Sequence, residues 1–337
     1  MKLKIIITLC ASTAVLLLGI AAGSIYIPPL DILRIIAHNV FGLNVGGHIN
    51  PAHAAIVWNL RLPRILLAFC AGAALSVSGA VMQSVLRNPL ASSYTLGVSS
   101  GASLGASLVI FLGVNIPFLS MFTMPLLGFI FGLVTILIVI GISRQLDARM
   151  ENHTVILTGM VFALFMNAVT TLMFALFREG TQRMVFWQMG SFAMKDWYTV
   201  YILAPAALAG VLFISRFNTE LDILTFGEDN AQITGVNIHR IKLILLITAA
   251  ALTGSAIAFA GIIGFVDLVA PHVVRRIFGS SHRYVIPMSA LFGGAFMVLA
   301  DLAARTITPP VELPVGAVTA LIGAPFFAWV YFKRRKK

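Results

Sequence analysis

Charge is scarce in this sequence. Only 12 of its 337 residues are acidic and 23 are basic, so charged residues make up 10%. A soluble domain carries about 25%, and so small a polar supply excludes an ordinary soluble protein. Cysteine is nearly absent: Cys10 and Cys70 both fall in apolar runs, so no disulfide is expected and no compartment can be read from them. No Gly-Lys is followed by Ser or Thr, so there is no loop of the kind that cradles nucleotide phosphates. Nucleophile–base pairs, paired carboxylates and metal-ligand clusters are missing too. His272 follows Pro271 with no second ligand at suitable spacing. These absences argue against an enzyme.

What is present is hydrocarbon. The chain is 59% hydrophobic with a mean hydropathy of +0.97. Apolar runs near 20 residues recur along it, each able to cross ~30 Å of lipid as a helix. Helices are the open-chain solution that satisfies the backbone there. The expected fold class is all-α, a polytopic membrane protein in one domain over 1–337. About ten spans are predicted, near 5–26, 63–84, 94–113, 121–143, 154–177, 198–215, 241–260, 264–278, 284–303 and 313–332. The eighth is short, and Pro or Gly breaks several. A connector of some thirty residues, with Pro28, Pro29, Asn50 and Pro51, follows the first. That first run is too long for the ~7–15-residue core of a signal peptide, so it reads as a retained helix.

The net charge of +11 is not read as a nucleic-acid footprint. Basic residues sit at span ends and in the tail Lys333–Lys337. They favour the side shared by both termini, which the positive-inside rule makes cytoplasmic. A weak echo between 73–80 and 250–257 suggests two related halves.

One stretch organises the rest: Arg61 to Gly105. Two apolar segments meet at Arg87-Asn88-Pro89-Leu90, where Pro89 should end a helix. Gly72, Ser76 and Ala80 before the corner, and Gly97, Gly101 and Gly105 after it, fall four apart. Such faces let helix backbones approach closely inside lipid. Farther on, the polar loop 216–240 is too long for a tight hairpin and so reads as functional. Glu228 and Asp229 would favour the start of a helix there. Two acids lie in apolar surroundings. Asp301 has Arg305 four residues on, a structural ion pair. Asp267 either rests in the first turn of a short helix or lines a pathway.

The motifs R-x-P-R, G-A-A-L, S-G-x-x-M-Q, R-N-P-L-A and L-G-V-S-x-G-A, in this order, resemble the FecCD-type permeases of ABC importers. So do GFVDLVAPH (264–272), with Asp267 where the family has Gly, and ELPVGAVTA and TALIGAPFFAWV near the end. The likeness runs from about residue 57 to 330. It implies a BtuC-like permease fold that translocates a metal chelate across the cytoplasmic (inner) membrane of a bacterium or archaeon. Ferric siderophore is the default cargo; cobalamin, haem and molybdate or tungstate are alternatives. It implies a homodimer, two ATP-binding cassette subunits that hold the ATP and magnesium, and a periplasmic or lipoprotein substrate-binding protein. No cofactor on this chain and no nucleic-acid partner are implied. Gly227, Glu228, Asp229, Ala231, Gly235 and Val236 match the family's ATPase-coupling element. Asn88, Pro89 and Leu90 match its cytoplasmic gate, with Asn152 and His153 assigned to the same constriction. Arg61, Arg64 and Arg305 match positions that dock the binding protein. Guanidinium suits that work, being permanently charged and bidentate toward carboxylate. A rival reading is an ion-driven carrier with Asp267 and Asp301 carrying protons; the coupling element speaks against it.

Overall fold

The computed structural model describes residues 1–23, 25–43, 50–147, 150–227 and 237–335. Among them are thirteen helices and no strand. They are α1 (Lys2–Ala21), α2 (Pro29–Phe41), α3 (Pro51–Val85), α4 (Val98–Leu112), α5 (Thr123–Leu146), α6 (Asn152–Leu176) and α7 (Thr181–Met189). Then come α8 (Trp197–Ser215), α9 (Asn218–Thr225), α10 (Ile238–Ala260), α11 (Val266–Phe278), α12 (His282–Thr306) and α13 (Val315–Arg335). Seven of these are long and apolar enough to cross a membrane: α1, α3, α5, α6, α8, α10 and α12. The apolar parts of α4 and α13 are shorter. All ten predicted spans coincide with helices; α2, α7 and α9 are additional.

Three boundaries differ from expectation for physical reasons. The described parts of the connector before Pro63 are largely helical: Pro29 and Pro51 occupy first-turn positions, where a missing N–H costs nothing. Asn50 caps the second of these by accepting from the Ala52 N–H at 2.9 Å. The helix then runs through Pro63 because the turn before it, Ile56–Arg61, is π-wound, and the wider turn takes up the proline. Gly97 lies outside α4. It stands at the N-cap with φ of 83°, after a Ser92–Thr95 turn closed by side-chain bonds. Pro271 and Pro325, expected to break their spans, lie inside continuous α11 and α13.

α3 is the centre of the fold. Its apolar window is 83% buried, against 17% for α1 and α6. It packs against α12, α10, α11 and α8. The small-residue faces expected from sequence make these contacts. A Cβ on Gly72 would overlap the Gly293 carbonyl of α12, and one on Gly79 the Asp267 carbonyl of α11. Gly101 and Gly105 of α4 sit equally close to the Phe131 and Leu127 carbonyls of α5. Buried hydroxyls join the same helices. Ser78 bonds Ser93 at 2.7 Å and the Ala249 carbonyl at 2.7 Å, and Thr253 reaches Ser78 at 2.7 Å. Outside this core the protein turns its apolar side chains outward. Leu157, Val161, Leu164, Phe165 and Leu172 on α6 are all exposed, the inverse of a water-facing helix.

Gly72→Leu and Gly79→Leu are each expected to destabilise the fold by ~1–3 kcal/mol through overpacking. Gly141, whose Cβ would meet nothing within 4 Å, should tolerate Ala with no loss or a small gain. Thermal-shift midpoints in detergent measure both; equal midpoints for Gly72→Leu and the parent would contradict the close contact.

Candidate functional site

α3 and α12 run antiparallel, so each end of the pair gathers residues far apart in sequence. At one end α3 terminates in the corner 86–90. Arg87 takes a positive φ of 50°. The Asn88 side chain then accepts from the Leu90 N–H at 2.9 Å, an Asx turn that sets Pro89 across the helix end. Facing it is the start of α6. Asn88, Pro89, Asn152 and His153 line one cleft of ≈ 560 Å³ together with Leu86, Arg87, Glu151 and Ile156. The structure therefore brings together four of the five gate residues expected from sequence. Leu90 is 45% exposed beside them.

A second cleft of ≈ 690 Å³ lies on the other side of the corner. Arg87 and Pro89 line it as well, with Gln83, Ser84, Thr225, Phe226, Arg275, Ser280 and His282. Its wall is a hydrogen-bonded chain. Asp222 of α9 accepts from the His282 backbone N–H at 2.9 Å and from the ring Nδ1 at 2.5 Å. With its proton held on Nδ1, the ring meets Ser84 Oγ at 2.6 Å through Nε2. Arg275 donates to Ser84 Oγ at 3.0 Å, to the Ala80 carbonyl at 3.2 Å and to Gln83 Oε1.

The segment expected from sequence to couple to an ATPase starts next to Thr225 and Phe226, which line this cleft. Gly227 has φ of 117° and donates to the Leu224 carbonyl at 3.2 Å. Glu228, Asp229, Ala231, Gly235 and Val236 lie outside the described residues. The chain re-enters at Asn237, whose side chain caps α10 by accepting from the Arg240 N–H at 3.1 Å. One turn on, Lys242 is 1% exposed. Its ammonium donates to the Met150 carbonyl at 2.5 Å and to Asn152 Oδ1 at 2.7 Å.

The opposite end of the helix pair holds the three arginines. Arg64 grips Asp301, with Nε 3.0 Å from both carboxylate oxygens and Nη2 2.9 Å from Oδ1. Its outer edge pairs with Glu312 at 2.8 and 3.0 Å. Arg305 adds a longer contact to Asp301 at 3.7 Å and a bond to the Gly19 carbonyl. Arg61 donates to the carbonyls of Ile20 and Ala21 at 2.8 and 3.0 Å, and to Ile25 at 2.5 Å. The last carbonyls of α1, which have no partners within the helix, are thus capped by two cations at its negative end. All three guanidinium groups find partners within the fold, and Arg64 alone also pairs with a half-exposed acid, Glu312. Asp301 is fully buried beside them, and its main partner is Arg64, not the neighbour four residues away.

Asp267 lies in the first turn of α11, buried, after Phe265 with a positive φ of 69°. Its Oδ2 has no hydrogen-bond partner. It lines neither cleft. Among the described residues no three His, Cys, Asp or Glu side chains converge as a metal site.

Sequence reasoning missed Asp222, His282, Ser84 and Lys242 as site residues. Lys242 was visible only as one more basic residue at a span end. Its partner is a backbone carbonyl some 90 positions away, which no motif announces.

The FecCD transport family model matches residues 10–333. The uncharacterized ABC transporter permease protein YvrB of Bacillus subtilis (strain 168) is 43% identical over 321 residues, covering 95% of this chain and 91% of that one. The Fe(3+)-citrate import system permease protein YfmE of the same organism is 34% identical, with 95% and 92% covered. A solved chain from an inward-facing ABC transporter assigned to the metal-chelate type superposes with a TM-score of 0.85. It is 28% identical and the match covers 99% of this chain and 100% of that one.

Removing the carboxylate of Asp301 should leave Arg64 and Arg305 buried without their counter-ion. Asp301→Ala is expected to cost about 3–5 kcal/mol, whereas Glu312→Gln, at the half-exposed rim, should cost under about 1 kcal/mol. Detergent melting curves separate them; an Asp301→Ala midpoint at the parent value would contradict the assignment.

Proposed function

The chain belongs to the FecCD transport family, and from that premise we propose that it is the membrane-spanning permease subunit of a binding-protein-dependent ABC importer of metal chelates. Ferric siderophore is the cargo we favour. The observation that carries the reading is the convergence at one end of the bundle. The corner 87–90 and the start of α6 face one cleft, and the flanks of 228–236 reach both that cleft and its neighbour. A segment placed there can transmit force from outside the lipid to a constriction within it.

In this reading two copies enclose the path, with both termini in the cytoplasm. An ATPase pair binds beneath, at 227–236, and supplies the hydrolysis; this chain performs no covalent chemistry. The ten-span count rests on crediting α4, α11 and α13 alongside the seven long helices. Asn88, Pro89, Leu90, Asn152 and His153 form the gate. A binding protein docks at the arginine end. There a partner carboxylate would reach Arg64 by displacing Glu312, the only one of Arg64's two acids that lies half-exposed. Arg61 and Arg305 then act mainly by holding α1 in place. The Fe(3+)-citrate permease and the metal-chelate transporter chain to which the protein is similar support a chelate as cargo. Asp267, a buried acid close to α3, is assigned a structural role.

The test is assembly. A scrambled 228–236 should abolish co-purification of the cognate ATPase subunit while the permease still folds and inserts. Retention of the ATPase at parental stoichiometry would overturn the coupling assignment.

A further inference from the structure

We infer that the end of the bundle where α1 begins and α11 ends binds an anionic phospholipid of the adjoining leaflet, through Lys2, Lys4, Arg276 and Arg283. The patch lies apart from both clefts, and its binding does not depend on which cargo the chain carries.

The four cations come from three helices: two from α1, one from α11 and one from α12. Two contacts bring them to one place. Lys4 Nζ donates to the Ile277 carbonyl at 2.8 Å. The first turn of α1 thereby caps the end of α11, whose last carbonyls have no helical partners and carry the negative end of the dipole. Beside it, Ile5 and Tyr284 pack on a small apolar cluster of Val274, Phe278 and Met288. Arg276 and Arg283 flank the turn that joins α11 to α12. All four cationic residues are exposed. Nothing in the fold neutralises them. Among the described residues none of the four lies within ion-pair distance of a carboxylate. The acids of their own helices are at the far end, where Asp267 starts α11 and Asp301 stands near the end of α12; α1 has none. Asp222 of α9 approaches the start of α12, but its oxygens are taken by His282 and Ser281. Arg276 lies over the Trp329 ring at 5.9 Å, a contact that leaves its charge in place.

Like charges gathered in this way repel, and an anion held among them removes the repulsion. The general excess of cations on one side of a membrane does not require three helices to pool theirs. The surroundings identify the anion as a lipid headgroup. Leu3, Ile6, Ile7 and Ile277, interleaved with the cations, are all exposed, so the patch borders the hydrocarbon-facing surface. Trp329 is exposed at the same end, and an aromatic ring suits the headgroup level. None of the four cations lines either cleft described above, so a soluble phosphate would find no walls around it. The apolar window of α1 is only 17% buried, which leaves a face along which acyl chains can lie. Basic clusters at the ends of spanning helices attract anionic headgroups in proportion to their charge. A headgroup shared by α1 and the α11–α12 turn would also hold this little-buried helix against the bundle.

The experiment titrates the full chain in dodecylmaltoside with dioleoylphosphatidylglycerol or dioleoylphosphatidylcholine, and reads bound lipid by native mass spectrometry and the melting midpoint. The parent should bind the anionic lipid more tightly and melt higher with it. Arg276→Gln with Arg283→Gln should weaken that binding on the order of twentyfold, about fivefold per charge, and leave the zwitterionic lipid unaffected. Arg276→Lys with Arg283→Lys should keep the preference. So should Arg178→Gln with Arg183→Gln, which removes two exposed cations outside the patch. If the paired Gln variant does not fold, Lys2→Gln with Arg283→Gln, which leaves the Lys4 cap and the Trp329 contact in place, carries the same expectation. Equal binding of the two lipids by the parent, or a parental preference in the Gln variant that folds, overturns the site. A rise in midpoint of the same size with soluble glycerol phosphate overturns the headgroup assignment in favour of a free anion.

Discussion

The structure depends on the contact between α3 and α12. Gly72 and Gly293 bring the two backbones so close that neither position has room for a side chain. In lipid no hydrophobic force draws helices together, so such van der Waals contact and interhelical hydrogen bonding carry the association. Once the antiparallel pair is fixed, its ends are fixed too. Arg64 must meet Asp301 at one end, and Ser84 must meet His282 at the other. Residues over 190 positions apart are paired by a consequence of glycine spacing.

Each end then solves the same electrostatic difficulty. A buried charge costs several kcal/mol unless its partner is close and its remaining donors are used. At the arginine end the solution is a fork-to-fork pair, completed by capping of α1. At the cleft end it is dispersed through carboxylate, imidazole, hydroxyl and guanidinium. The first arrangement is compact and closed. The second lines the cleft of ≈ 690 Å³ through Ser84, Arg275 and His282.

Much of this was legible in the sequence. Apolar run length located ten helices, glycine spacing located the close-packing faces of α3 and α4 but not their partners, and Pro89 located the corner. The failures share a cause. Pro63 reads as a helix start and Pro271 and Pro325 as helix breaks, yet each sits inside a continuous helix because a π turn or packed neighbours absorb the lost bond. The internal partners of the three arginines were not legible either: each finds carbonyls or acids within the fold. Lys242 and Asp222 were invisible as site residues because their partners are set by tertiary contact, and neither spacing nor local propensity encodes that. Of the six residues expected to couple to an ATPase, only Gly227 falls among the described residues.

The account makes the protein a conduit that draws its work from outside the chain. The most direct test is uptake of iron-55-labelled ferric siderophore into proteoliposomes containing the permease, its cognate ATPase and binding protein. Accumulation should require ATP and the ATPase subunit and should withstand an ionophore that collapses ion gradients. Accumulation without the ATPase, driven by an ion gradient and abolished by the ionophore, would contradict it.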